Sequence, residues 1–185
     1  MATPPPARLT HVGLYVTDMD RMVDFYHRLL GLVVTDKGEF LGRRLTFLSR
    51  DADEHHQVVF VTGRNAPEGI MVLSQVSFRL DDDDLQALRW VHRTALDLGA
   101  ANMEGRNHGN SWSLYFEDPE GNRLEVYTAT PWYVSQPWRI ALDMNDTDEE
   151  IRESTLAQIK ETANWSPVET WQRTISARLG SEARP

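Results

Sequence analysis

Cysteine is absent from the 185 residues. Its absence excludes disulfides, thiolate metal sites and cysteine nucleophiles, so any metal must be held by histidine, carboxylate or amide oxygen. Long apolar runs are missing too. None approaches the length of a membrane span, and the opening MATPPP has neither the basic nor the apolar region of a signal peptide. The expectation is a cytoplasmic protein with no membrane partner. Basic residues are outnumbered, 19 against 28 acidic, giving a net charge of −9. With no basic stripe to offset that charge, a nucleic-acid partner is not expected. The apolar fraction of 41% and charged fraction of 25% are ordinary for a globular chain, long enough for one domain or two small fused modules with a tail.

The most informative stretch is His108 to Tyr127, HGNSWSLYFEDPEGNRLEVY. Ser111 to Glu117 has the aromatic-rich composition of a strand, Asp118 to Asn122 reads as a turn, and Arg123 to Thr128 alternates polar with apolar residues. In that second strand Arg123, Glu125 and Tyr127 share one face, and Leu124 and Val126 the other. A carboxylate among apolar neighbours must be paired, protonated or bound to a cation, because burying it alone is costly.

The remainder shows an internal repeat. A Pro-rich leader (1–7) is expected to be disordered. Leu9 to Val16 reads as a strand with His11, Gly13 and Tyr15 on one side. A helix capped by Asp18 and stopped by Gly31 follows, then strands at Leu32 to Thr35, Arg44 to Ser49 and His55 to Thr62. The order recurs: a strand at Leu73 to Leu80, a helix after the acidic run Asp81 to Asp84 with Leu85, Leu88, Val91, Ala95 and Leu96 as its buried side, a strand at Ala101 to Glu104, and the hairpin. Overlaying the halves sets Gln75 on His11, and Val59 on Glu125. The expected architecture is α+β, with modules at 8–63 and 72–130. A C-terminal helical extension spans 131–185, with helices at Asp148 to Ala163, started by Thr147 and Glu150, and at Pro167 to Leu179, started by Ser166 and Glu169. Ile151, Leu156 and Ile159, and Trp171, Ile175 and Leu179, are the expected apolar contacts. The last residues, Gly180 to Pro185, are expected to fray.

Two tandem βαβββ units, with His11 opening the first and Glu125 closing the second within the string SLYFEDPEGNRLEVY, resemble the vicinal oxygen chelate superfamily of glyoxalases, bleomycin-resistance proteins and extradiol dioxygenases. The resemblance covers Leu9 to Thr130 and implies a cupped, barrel-like mixed sheet. It implies a divalent metal on His11, Gln75 and Glu125, with iron(II) first and manganese, zinc, nickel and cobalt admitted. Gln75 departs from the histidine frequent among the dioxygenases, and its harder oxygen weakens the preference for iron. Val59 cannot supply the fourth ligand of a glyoxalase, so open metal positions are left for a chelating substrate and dioxygen.

Further matches point toward the extradiol dioxygenases. The pair His55 and His56 resembles their paired histidines, Tyr115 their substrate-binding tyrosine, and His108 a second active-site histidine. A catechol must lose protons to chelate a metal, and histidine is the suitable base. The expected function is therefore ring cleavage of a small aromatic diol with O2, His56 or His55 acting as acid and base, and Tyr115 and His108 holding oxygens. The family implies a homodimer. The alternatives are a metal-dependent isomerase or lyase of the glyoxalase kind, and a non-catalytic drug-binding protein. His27 and His92 are read as structural or surface residues.

Overall fold

The computed structural model describes residues 9–65, 73–81 and 84–178. The Pro-rich leader, Asp82, Asp83, Leu179 and the C-terminal residues expected to fray lie outside them. The chain divides into two compact units, one of Met1–Val72 with Asp118–Gly121, the other of Leu73–Glu117 with Asn122–Pro185.

The first unit contains β1 (Val12–Val16), α1 (Met19–Leu30), β2 (Val33–Phe40), β3 (Arg43–Ser49) and β4 (Val58–Thr62), in the sheet order β1-β4-β3-β2. Met22, Phe25, Tyr26 and Leu29 recur at helical spacing and form the buried stripe of α1. Asp18 caps the helix through its side chain, and Gly31 ends it at φ +68°, a conformation that favours glycine. A second carboxylate supports the same helix start. Glu120 accepts from Thr17 N at 2.8 Å and Asp18 N at 2.7 Å, where unpaired amides and the helix dipole favour negative charge. Tyr26 O–H donates to Asp118 at 3.0 Å, so both acidic residues of the sequence-predicted turn have structural partners.

The second unit runs β5 (Val76–Arg79), α2 (Leu85–Asp97), β6 (Ala101–Asn107), β7 (Ser111–Glu117), β8 (Arg123–Ala129), β9 (Trp132–Val134), β10 (Ile140–Ala141), α3 (Asp148–Lys160), β11 (Trp165–Pro167) and α4 (Val168–Arg178). Its main sheet is ordered β10-β6-β7-β8-β5. Within each unit the first strand pairs in parallel with the fourth, which pairs antiparallel with the third. Register confirms the sequence overlay: Gly13 stands opposite Val59 in one sheet, and Ser77 opposite Glu125 in the other. Both sheets are open, so the barrel-like expectation is realised as open mixed sheets.

Several boundaries differ from expectation. β1 and β5 start at Val12 and Val76, leaving His11 and Gln75 one residue before their strands, and β4 starts at Val58, after His55 and His56. β2 extends to Phe40, every residue exposed, and β6 reaches Asn107. Leu96 is 47% exposed, because α2 buries only Leu85, Leu88, Val91 and Ala95. The Thr147–Glu150 capping box forms, but α3 ends at Lys160. Ser166 caps nothing. It lies with Pro167 in β11, paired to β9, and α4 starts at Val168. Among the described residues no helix is long and apolar enough to cross a membrane.

Within the second unit, the residues after the hairpin pack onto the main sheet through Thr155. Its fully buried hydroxyl accepts from Asn107 Nδ2 at 2.8 Å and Trp112 Nε1 at 2.9 Å, and donates to Ile151 O at 2.6 Å. Thr155→Val keeps the shape and strands two buried donors, each costing about 1–3 kcal/mol when unsatisfied. Urea unfolding is expected to show a loss of about 2–4 kcal/mol; a loss below about 0.5 kcal/mol would show that both donors find other acceptors.

Candidate functional site

The second unit gathers polar side chains on one face of its sheet because strand residues alternate. Ser77 on β5, Glu125 on β8, Tyr115 on β7 and Glu104 on β6 are register partners across four neighbouring strands. Leu124, Val126, Leu114 and Phe116 take the opposite, buried face.

Glu125 is only 8% exposed, and three donors meet it. Gln75 Nε2 at 2.9 Å and the Ser77 hydroxyl at 2.6 Å donate to Oε2, and the Tyr115 hydroxyl donates to Oε1 at 2.6 Å. Such bonds to a charged acceptor are short and stronger than neutral ones, and they offset the desolvation of the carboxylate. Tyr115 has one hydroxyl proton and two partners. The shorter contact goes to Glu125, and His108 Nε2 lies 3.1 Å from the same hydroxyl. Burial, then the hydrogen bond and charge of Glu125, push the Tyr115 pKa up to about 12, against weaker opposition from Gln75 and Arg139. At neutral pH Tyr115 is therefore a proton-bearing donor.

Beside this row lies a cluster of cations. Arg106, Arg123 and Arg139 all contact the Glu104 carboxylate, Arg123 at 3.4 Å and Arg139 at 2.9 Å. Three guanidiniums share one carboxylate, an excess of two positive charges within the cluster (3 − 1 = 2). Arg106 Nε is buried with no hydrogen-bond partner among the described residues. Burial, then Arg139 and Arg123, lower the Arg106 pKa. Arg123 and Arg139 also lie over the Tyr115 ring, 4.9 and 6.0 Å from its centroid.

The first unit brings three histidines together. The His11 and His56 rings are 4.2 Å apart, and His55 Nδ1 lies 3.0 Å from His56 Nδ1. Phe47 packs against both His55 and His56, and His55 Nε2 lies 3.8 Å from Asp36. Burial, then His11 and His55, lower the His56 pKa below its usual 6.5, so His56 is neutral near pH 7. The pair lies in the turn before β4 and not on the strand itself.

The expected residues thus form two clusters within separate units: His11, His55 and His56 in one, Gln75, His108, Tyr115 and Glu125 in the other. Ser77, Glu104, Arg106, Arg123 and Arg139 were missed as site residues. Ser77 has the same parity as Gln75 and was legible on that ground, whereas Arg139 follows no periodic signal. Among the described residues, no group of three or more His, Asp or Glu side chains is placed to hold a metal ion. The expected set has an amide as its middle member and so does not contain three such residues. Within the second unit, the donors suit a hard divalent cation. A half-turn of the Gln75 carboxamide exchanges its N and O and puts an amide oxygen beside the Glu125 carboxylate.

Residues 8–126 match the Glyoxalase/Bleomycin resistance protein/Dioxygenase superfamily, and the chain belongs to it. The metallothiol transferase FosB of Staphylococcus epidermidis is 24% identical over 129 residues, covering 66% of this chain and 82% of its own. The glutathione transferase FosA of Serratia marcescens is 26% identical over 125 residues, covering 66% and 81%. Among solved structures, a glyoxylase/bleomycin resistance protein/dioxygenase domain from Frankia superposes with a TM-score of 0.58 at 18% identity, over 68% of this chain and all of the other. The fosfomycin resistance protein FosX of Mesorhizobium loti gives 0.54 at 19%, over 68% and 94%. These likenesses establish the fold. Neither curated relative is named as a dioxygenase, so the family stands while the expected kinship with extradiol enzymes finds no support in them.

Removing the Tyr115 hydroxyl tests the energetics of the row. Tyr115→Phe is expected to cost about 1.5–3 kcal/mol in urea unfolding at pH 7, the range for a hydrogen bond to a charged group. The sign of the pH dependence follows from the raised pKa. Stability contributed by the hydroxyl is complete below the unfolded value of 10.0 and is lost as pH rises toward 12. The alkaline fall in stability is therefore expected to be shallower in Tyr115→Phe, and an identical fall in both proteins would refute the assignment.

Proposed function

We propose that this chain is a divalent-metal enzyme that adds a thiol or water to a small oxyanionic substrate, with the second unit's polar face as the substrate-binding surface. The observation that carries the reading is the trio Arg106, Arg123 and Arg139 around a single Glu104, beside the Tyr115–Glu125 pair. Guanidiniums suit phosphonate, phosphate or carboxylate oxygens because their N–H groups match those acceptors in pairs. The names of the relatives agree with this class. One is named a metallothiol transferase and another a glutathione transferase, and a mutant of the FosX protein of Listeria monocytogenes was crystallised with Mn(II) and 1S,2S-dihydroxypropylphosphonic acid.

His11, Gln75 and Glu125 are proposed as metal ligands on the family resemblance, and their two oxygen donors favour manganese(II) over iron(II). A divalent metal, when bound, supplies Lewis-acid polarisation of a substrate oxygen. The side chains on the sheet face have separate roles. The arginines hold the anionic group, and Tyr115, which keeps its proton at neutral pH, exchanges its bond to Glu125 for one to a substrate oxygen that gains charge as the nucleophile adds. His56, neutral near pH 7, is the candidate base for a thiol or water.

Ring cleavage of a catechol is the second reading, favoured by the hydrogen-bonded series His108, Tyr115 and Glu125. One experiment separates the two. Protein purified without chelators is assayed for bound metal by elemental analysis, then given fosfomycin with a small thiol or water alone, and catechols in air. The proposal expects about one metal per chain, lost in Glu125→Ala and His11→Ala, and metal-dependent consumption of the phosphonate that falls in Arg139→Ala. Oxygen uptake with ring-opened product and no phosphonate turnover would establish the second reading instead. Absence of bound metal would overturn both.

A further inference from the structure

The polypeptide after residue 126 lies outside the family match, yet it makes specific contacts with His108. The side chain of Gln136 is the connecting piece. Its Nε2 donates to the His108 carbonyl at 2.8 Å and to Val134 O at 3.3 Å, and its Oε1 accepts from Trp138 N at 3.0 Å. One carboxamide thus ties the main chain of His108 to the segment whose carbonyl, Trp138 O, lies 3.1 Å from His108 Nδ1. A carbonyl only accepts, so Nδ1 carries a hydrogen; in the neutral ring Nε2 is then an acceptor, standing beside Glu125 Oε1 as the second acceptor for the single Tyr115 proton.

The corner that bears His108 is constrained from several sides. Gly109 has φ +73°, and a Cβ there would collide with Val134 and stand 3.0 Å from Ile159 and 3.3 Å from Trp138. Gly109 N donates to Asn107 Oδ1 at 2.8 Å, and Asn107 is held in turn by Thr155. These contacts act on the backbone of the corner, whereas the imidazole also packs edge-on against the Tyr115 ring. Among the described residues, the Trp138 carbonyl and the Tyr115 hydroxyl engage its ring nitrogens.

We propose that Gln136 is a positioning residue: by clamping His108 against the Trp138 carbonyl it fixes the rotamer and tautomer of the imidazole, and through it the Tyr115 hydroxyl, making the C-terminal extension a working part of the site. The proposal rests on the role given above to Tyr115, but its principal test does not require turnover. A residue that served packing alone would affect stability and leave the ring nitrogens unchanged.

The test is a ring ¹⁵N–¹H correlation spectrum of the full chain, with His108 assigned by its loss in His108→Gln. At a pH where the ring is neutral, the native protein is expected to show His108 with hydrogen on Nδ1. Gln136→Ala is expected to shift it to a mixture of tautomers. Trp171→Ala, which removes the ring stacked 5.4 Å from Tyr133 elsewhere in the extension, is the stability control and is expected to leave the tautomer unchanged. Where turnover is measurable, Gln136→Ala is expected to lower kcat roughly tenfold with KM little changed, the signature of a misplaced donor. A native His108 with hydrogen on Nε2 alone would overturn the proposal, even if Gln136→Ala failed to fold. An unchanged tautomer in folded Gln136→Ala would overturn it as well. Absence of turnover in the native protein would count against the proposed reaction and leave the tautomer result to decide this inference.

Discussion

The second unit depends on a buried negative charge. Glu125 is nearly enclosed, and an ionised carboxylate so placed costs several kcal/mol unless donors replace its water. Gln75, Ser77 and Tyr115 do so from two neighbouring chain segments, and this fixes more than the side chains. Ser77 and Tyr115 are Glu125's register partners on β5 and β7, so slipping either strand by one residue would turn the donor to the opposite face. The same slip would bring Leu114, Phe116 or Phe78 onto the carboxylate. The pairing that satisfies the charge also keeps the apolar face buried, so the two requirements select one register.

The extension meets the sheet through a second polar node with different physics. Thr155 is surrounded by Asn107, Trp112 and Ile151, all neutral, and its hydroxyl uses both its donor and acceptor capacity. Asn107 spends its own oxygen on Gly109 N, so the node is continuous with the corner that carries His108. Packing alone would leave the orientation of α3 broadly specified. Directed bonds from a fully buried hydroxyl narrow it to the one in which Val134 and Ile159 close over Gly109.

Periodicity made much of this legible. The buried stripe of α1, the alternation of β8 and the repeat itself follow from spacing, and the overlay of Gln75 on His11 and Val59 on Glu125 agrees with the observed registers. What was not legible depends on contacts distant in sequence. Ser166 has the spacing of a capping box, but pairing of Trp165–Pro167 with β9 took precedence over it. Leu96 fits a helical stripe, yet no neighbouring element covers it. Glu120 reads as a turn residue, although its carboxylate holds the amides of Thr17 and Asp18, a partnership across about a hundred residues that no local pattern encodes. Arg139 belongs to an irregular segment and gains meaning from distant contacts, with Glu104 and with the Tyr115 ring.

The two repeats have diverged in a way that divides chemical labour. Where the second has Ser77 opposite Glu125, the first has Gly13 opposite Val59, and a Cβ on Gly13 would stand in ordinary contact, 3.4 Å from the valine. The Gly13–Val59 pair carries no polar side-chain atoms and needs none satisfied. Its ionisable groups gather just outside the strands instead, as the imidazoles of His11, His55 and His56, where burial, then the neighbouring His11 and His55, lower the His56 pKa. Groups that must lose or accept protons near pH 7 belong in such a setting, whereas a permanent charge needs fixed donors around it. The arginines of the second unit are the converse case. They are held together against their own repulsion by one carboxylate, and an anion that joined them would relieve that repulsion.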